Sequence, residues 1–79
     1  MAERGNDSAE LIGFIARALV AEPGEVDVIV EEDGELIELE TADDDRGRVI
    51  GRQGRVAKAL RAILNATADG QGIRLDIVD

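Results

Sequence analysis

Neither cysteine nor histidine occurs in these 79 residues. Without cysteine there is no disulfide framework and no thiolate metal site. Without histidine the usual general base near neutral pH and the usual nitrogen ligand are missing too. Tyrosine and tryptophan are absent and Phe14 is the only aromatic, so stacking of bases on Tyr or Trp is excluded as a binding mechanism. No apolar run approaches the ~20 residues of a membrane span. The first seven residues, Met1 to Asp7, lack the apolar core of a secretion signal. The cytoplasm is therefore the expected location. Residues 1–6 read as a flexible leader and 7–79 as a single domain with a modest core.

Positive charge is scarce as well, and its placement is informative. The chain carries a formal −9, with 18 acids against 9 bases. From residue 22 to residue 45 there are twelve acids and no base. From residue 46 to residue 61 there are six bases (Arg46, Arg48, Arg52, Arg55, Lys58, Arg61) and no acid. A mixed surface would scatter its signs. Here the cations gather around one tight turn, as at a polyanion site on a protein that otherwise repels polyanions.

Periodicity gives an α-β-β-α-α-β order. Asp7 and Glu10 resemble a capping box, and Leu11, Ile12, Ile15, Ala18 and Leu19 follow at helical spacing. Pro23-Gly24 stops that helix. Val26, Val28 and Val30 alternate as a strand with one buried face. Asp33-Gly34 marks a hairpin turn, and Leu36 to Glu40 returns as a second strand. Asp43, Asp44 and Asp45 offer an N-cap for a short helix over 46–50. A longer helix is expected over about 54–68, with Val56, Leu60, Ile63, Leu64 and Thr67 as its core stripe. Ile73, Leu75 and Ile77 alternate as the last strand. The fold class expected is α+β, a three-stranded mixed sheet with three helices on one face.

Between the two later helices lies Arg48-Val49-Ile50-Gly51-Arg52-Gln53-Gly54-Arg55. A glycine-bounded turn between helices can be simple backbone punctuation. Three features add a functional reading. Gly54 opens a helix whose N–H groups and dipole favour an anion. The glycines let a phosphate approach the backbone. Arg52 and Arg55 sit where the helix dipole disfavours cations, the kind of local violation found at functional sites. Lys58 adds charge on the same helix, and Arg61 reads as part of a solvated face. Other chemistry has no parts here. Gly47, Gly51 and Gly54 make neither a dinucleotide fingerprint nor a P-loop. Asp43 and Asp45 begin a calcium loop that no glutamate closes. The acids at 31–35 read as a solvated hairpin tip. No catalytic set, cofactor or metal site is expected.

The central motif Val49-Ile50-Gly51-Arg52-Gln53-Gly54 resembles the Val-Ile-Gly-x-x-Gly signature of the KH domain, and the element order resembles its type II arrangement. The resemblance is closer to small single-domain bacterial KH proteins of the KhpA type (YlqC-like). It extends through Ala18-Leu19-Val20, Pro23, Glu25-Val26, and Asp44-Asp45 with Gly47, Gln53, Gly54-Arg55 and Ala57-Lys58-Ala59-Leu60-Arg61. The closing Leu75-Asp76-Ile77-Val78-Asp79 fits as well. This resemblance implies a cytoplasmic single-stranded RNA-binding protein of RNA-chaperone type. It implies self-association, or pairing with a larger Jag-type KH protein, and a link to cell shape and cell wall organization. It assigns the phosphate-binding loop to Gly51, Arg52, Gln53 and Gly54. It assigns the groove lining to Val49, Ile50, Val56 and Ala57, with Ile73 and Arg74 on the far wall. Arg48, Arg55 and Lys58 complete the expected RNA-binding set. Two alternatives share these residues: a helix-turn-helix DNA binder, and a dimerising interaction module with weak RNA binding.

Overall fold

The computed structural model describes residues 5–78. Helix α1 spans Asn6–Leu19, strands β1 and β2 span Asp27–Glu31 and Leu36–Glu40, helices α2 and α3 span Arg46–Ile50 and Arg55–Ala66, and strand β3 spans Arg74–Ile77. The expected order is present. The sheet order is β1-β2-β3, with β1 antiparallel to β2 and β3 parallel to β2, a mixed sheet. Of the leader expected over 1–6, residues 1–4 lie outside the described residues. Gly5 is buried and Asn6 begins α1.

Alternation places Ile37 and Leu39 of the central strand, with Leu75 of β3, on the helix side of the sheet. There they join Ile12, Ala16, Val26, Val49, Leu60, Leu64 and Ile73 in one core. Burial of these aliphatic side chains supplies the main driving force for folding, about 1.5–3 kcal/mol for each large one. Helix α1 lies along β1: a Cβ built on Gly13 would meet Val28, and Arg17 Nη2 reaches the Val26 carbonyl at 3.4 Å. Helix α3 lies along β3: Arg61 reaches the Leu75 carbonyl, and Asn65 Oδ1 accepts the Gly72 amide at 3.1 Å. Among the described residues the other sheet face has no helix. It carries Asp27, Glu31, Glu38, Glu40 and Asp76 together with Ile29, Leu36 and Arg74.

Four local expectations are corrected, the first being that Ile63, expected in the core stripe of α3, is exposed. Helix α1 buries Ser8, Ile12, Gly13 and Ala16, while Leu11, Ala18 and Leu19 are exposed. Its start is not capped by Asp7 and Glu10. Gly5 occupies the N-cap in a left-handed conformation, and the Asp69 carboxylate, from beyond α3, accepts the Asp7 amide at 3.2 Å and the Ser8 hydroxyl. Asp45 makes no side-chain cap on α2. Its buried carboxylate instead accepts the amides of Ala21 and Glu22, each at 3.0 Å, and so ties the end of α1 to the start of α2.

Candidate nucleic-acid interface

The loop between α2 and α3 has a backbone that its glycines dictate. Gly51 has φ 77° and ψ 170°, a region open essentially to glycine alone. A Cβ there would lie 2.5 Å from Val56 Cγ2. Arg52–Gly54 form one 3-10 turn in which Gln53 and Gly54 are left-handed, at φ 57° and 73°. Around Gly54 a Cβ would meet nothing within 4 Å, so its backbone faces open space.

The loop amides divide into used and unused. The Gly51 N–H donates to the Gly47 carbonyl at 2.8 Å, the Gly54 N–H to the Gly51 carbonyl at 3.0 Å, and the Arg55 N–H to the Arg52 carbonyl. No hydrogen bond among the described residues engages the amides of Arg52 and Gln53. An anion at this turn therefore meets those two donors and the dipole of the 12-residue helix α3. The side chains follow the same division. Arg48 Nε is held by Asp45 at 3.2 Å and Arg46 Nη2 by Asp43 at 3.0 Å. Among the described residues Arg52, Arg55 and Lys58 have no ion-pair partner, and all three are exposed. Arg55 Nη2 donates to Gln53 Oε1 at 3.2 Å, which draws the two side chains together over the turn.

Of the remaining expected lining, Ile50 and Val56 are half-buried. Val49 is 0% exposed and Ala57 is buried. Val49 and Ala57 are core residues that seat the loop and offer no surface. The Asp45 carboxyl is held below the usual aspartate range by the Ala21 amide first, then by the Glu22 amide and the Arg48 guanidinium, against the opposing effect of burial.

Arg61 is exposed, as expected of a solvated face, and lies on the β3 flank of α3. Its Nε and Nη2 both donate to the Leu75 carbonyl, each at 3.2 Å. With Asn65, Ile73, Arg74 and Leu75 it lines a groove of about 490 Å³ along the free edge of β3. The readable signal was the i, i+4 pair Arg61 and Asn65 beside the apolar stripe. No sequence pattern pointed to Leu75 as the acceptor.

These features define the class. A Gly-x-x-Gly turn joins two helices packed on an α-β-β-α-α-β mixed sheet, the type II KH fold. Residues 9–78 match the KhpA/KhpB KH-domain family, and the chain belongs to it. It is 49% identical over 74 residues to the RNA-binding protein KhpA of Treponema pallidum, covering 89% of this chain and 92% of that one. It is 41% identical over 73 residues to the RNA-binding protein KhpA of Leifsonia xyli, covering 90% and 96%. With the RNA-binding protein KhpA of Borreliella burgdorferi the identity is 41% over 83 residues, covering both chains fully. No solved structure matches the chain significantly.

Proposed function

We propose that this protein binds single-stranded RNA without catalysing a reaction, holding a phosphate at the turn 51–54. The observation that carries this reading is the pair of unused amides at Arg52 and Gln53, beside three exposed cations without ion-pair partners. Arg52, Arg55 and Lys58 supply the charge. Gly51 and Gly54 allow the approach, and Ile50 and Val56 present the aliphatic surface. Arg48, already engaged by Asp45, contributes less. A strand of about four nucleotides suits one such groove. The names of the relatives, RNA-binding protein KhpA, support the same reading. The relatives do not name the chaperone role, the cytoplasmic location or the link to cell shape. Those rest on the resemblance alone.

One groove of this kind binds weakly, so association with a second RNA-binding chain belongs to the proposal. It would raise affinity by about 10²–10⁴ through avidity. Leu11, Ile63 and Phe14, the last 72% exposed, support such contacts on the helix side. Either a second copy or a larger Jag-type KH protein is the proposed partner.

Gel shifts test the reading against its rivals. Single-stranded RNA should be retarded at concentrations that leave duplex DNA of equal length free. A preference for duplex DNA would favour the helix-turn-helix alternative, and loss of all RNA binding would favour the interaction module.

A further inference from the structure

We propose that the outer edge of β1 accepts an extended segment of a partner protein, added antiparallel as a further strand, with basic residues at its ends and small apolar residues between. The proposal stands apart from the RNA-binding reading and uses none of its residues.

Strand β1 is an edge strand: among the described residues only β2 pairs with it. The neighbouring ladder shows which way its backbone groups point. The Glu35 carbonyl accepts the Arg74 amide and the Leu39 carbonyl accepts the Val78 amide. Alternation therefore turns the backbone of Glu35, Ile37 and Leu39 to β3, and that of Leu36, Glu38 and Glu40 to β1. The latter three stand opposite Glu31, Ile29 and Asp27. Val28 and Val30 are left with their amides and carbonyls turned to the free edge. Such edges are normally blunted by lysine, proline or a bulge. Strand β1 has none of these: it reads Asp-Val-Ile-Val-Glu, and its register against β2 runs without a gap.

The two sides of this edge specify the occupant. On the helix side, Val28 and Val30 with Ala9 of α1 line a groove of about 340 Å³. Asn6, Glu10, Arg17 and Asp27 complete its lining, and Arg17 Nη2 is turned to the Val26 carbonyl. Residues of an added strand opposite Val28 and Val30 point into this groove, where small apolar side chains fit. On the open face, residues opposite Asp27 and Glu31 meet two exposed carboxylates. Glu31 also hydrogen-bonds Glu38, whose carboxyl is thereby held above the usual glutamate range. Cations opposite Asp27 and Glu31 complement this face.

A second copy of β1 does not meet these terms. Paired antiparallel about Ile29, it sets Asp27 against Glu31 twice, and like charges directly opposite are destabilising. The acids thus guard the edge against self-pairing while selecting a basic strand. Backbone bonds supply the affinity of such strand addition, and alternate side chains its specificity.

The test follows the amides of Val28 and Val30 by NMR as a peptide centred on Lys-Val-Thr-Val-Lys is titrated into the full chain. These two amides should move most, and a peptide centred on Glu-Val-Thr-Val-Glu should leave them still. Methylating the amide nitrogens of both peptide valines keeps every charge but removes the donors that face β1, and should weaken binding roughly tenfold or more. Asp27→Lys with Glu31→Lys should exchange the preference between the two peptides, with circular dichroism unchanged. Binding of the basic peptide that survives methylation would overturn the proposal in favour of plain charge attraction. So would shifts confined to Glu38, Glu40 and Asp76. No binding of the basic peptide would overturn it as well. Concentration-dependent shifts at Val28 and Val30 without peptide would make a second copy the occupant and overturn it.

Discussion

Two turns of this protein, the hairpin tip at Glu32–Gly34 and the interhelical loop at Arg52–Gly54, are each a single turn of 3-10 helix containing left-handed residues and differ in chemistry. The hairpin strings Glu31, Glu32, Asp33 and Glu35 along its turn. The loop has Arg52, Gln53 and Arg55, with no acid between residues 46 and 61. Charge, more than backbone shape, therefore distinguishes the proposed anion site from the hairpin. Both turns leave polar backbone exposed, but only one is followed by a long helix and surrounded by cations. Of the three acids that precede α2, Asp43 and Asp45 are engaged with Arg46 and Arg48, and Asp44 is exposed.

The largest effect should come from giving the loop the hairpin's chemistry. Arg52→Asp with Gln53→Asp places two anions at the proposed phosphate position. Each lost charge-assisted bond is worth about 1.5–3 kcal/mol, so affinity should fall by roughly 10²-fold or more in a gel shift. Both side chains are exposed, so thermal stability should move little. Next is Gly51→Ala, which tests the backbone rather than the charge. Its forced conformation and the contact with Val56 should cost about 1–3 kcal/mol by denaturant titration.

A smaller effect is expected from changing the hairpin toward the loop. Asp33→Lys with Glu35→Lys should raise RNA affinity a few-fold at low salt and not at high salt, since remote charges are screened over about 8–10 Å. The wild-type protein, contacting about three phosphates, should show a log–log salt slope of roughly −2. A slope near zero would mean that the cations are only a solvated face.

The smallest effect concerns the open sheet face. Glu38 is pushed above the usual glutamate range, chiefly by its hydrogen bond with Glu31, then by burial and by the charges of Glu31, Asp76 and Glu40. The folded state thus retains a proton that the unfolded chain has released, and stability rises as pH falls through that window. Asp45 and Asp69 behave oppositely. Their carboxyls are lowered, Asp45 chiefly by the Ala21 amide and Asp69 chiefly by the Ser8 hydroxyl. Their contribution is present at neutral pH and is lost below about pH 4. Thermal melts should therefore show a shallow optimum on the acid side of neutral. Glu38→Gln should raise the neutral-pH melting temperature slightly, and the gain should vanish near pH 4.

The strands and the loop were legible because their signals are local. Valine alternation, Asp33-Gly34 and the Gly51–Gly54 spacing each sit within a few residues. The phase of α1 was not legible. The doublets Leu11-Ile12 and Ala18-Leu19 allow two registers, and the true buried face includes Ser8 and Gly13, which no apolar count selects. Ser8 is buried because Thr67 and Asp69 satisfy its hydroxyl. Asp45, Asp69 and Arg61 act on backbone groups 14 to 62 residues away, so their partners appear only once the chain has folded. Within the loop, spacing marked the turn but could not show which amides its own hydrogen bonds would use.

The central claim is that the interhelical loop, not the acidic hairpin tip, receives the RNA phosphate. Amide chemical shifts followed by NMR during titration with a short single-stranded RNA test it most directly. The account predicts the largest changes at the amides of Arg52 and Gln53, with the amides of residues 32–35 unmoved. Largest changes at the hairpin or on the open sheet face, with the loop amides silent, would contradict it.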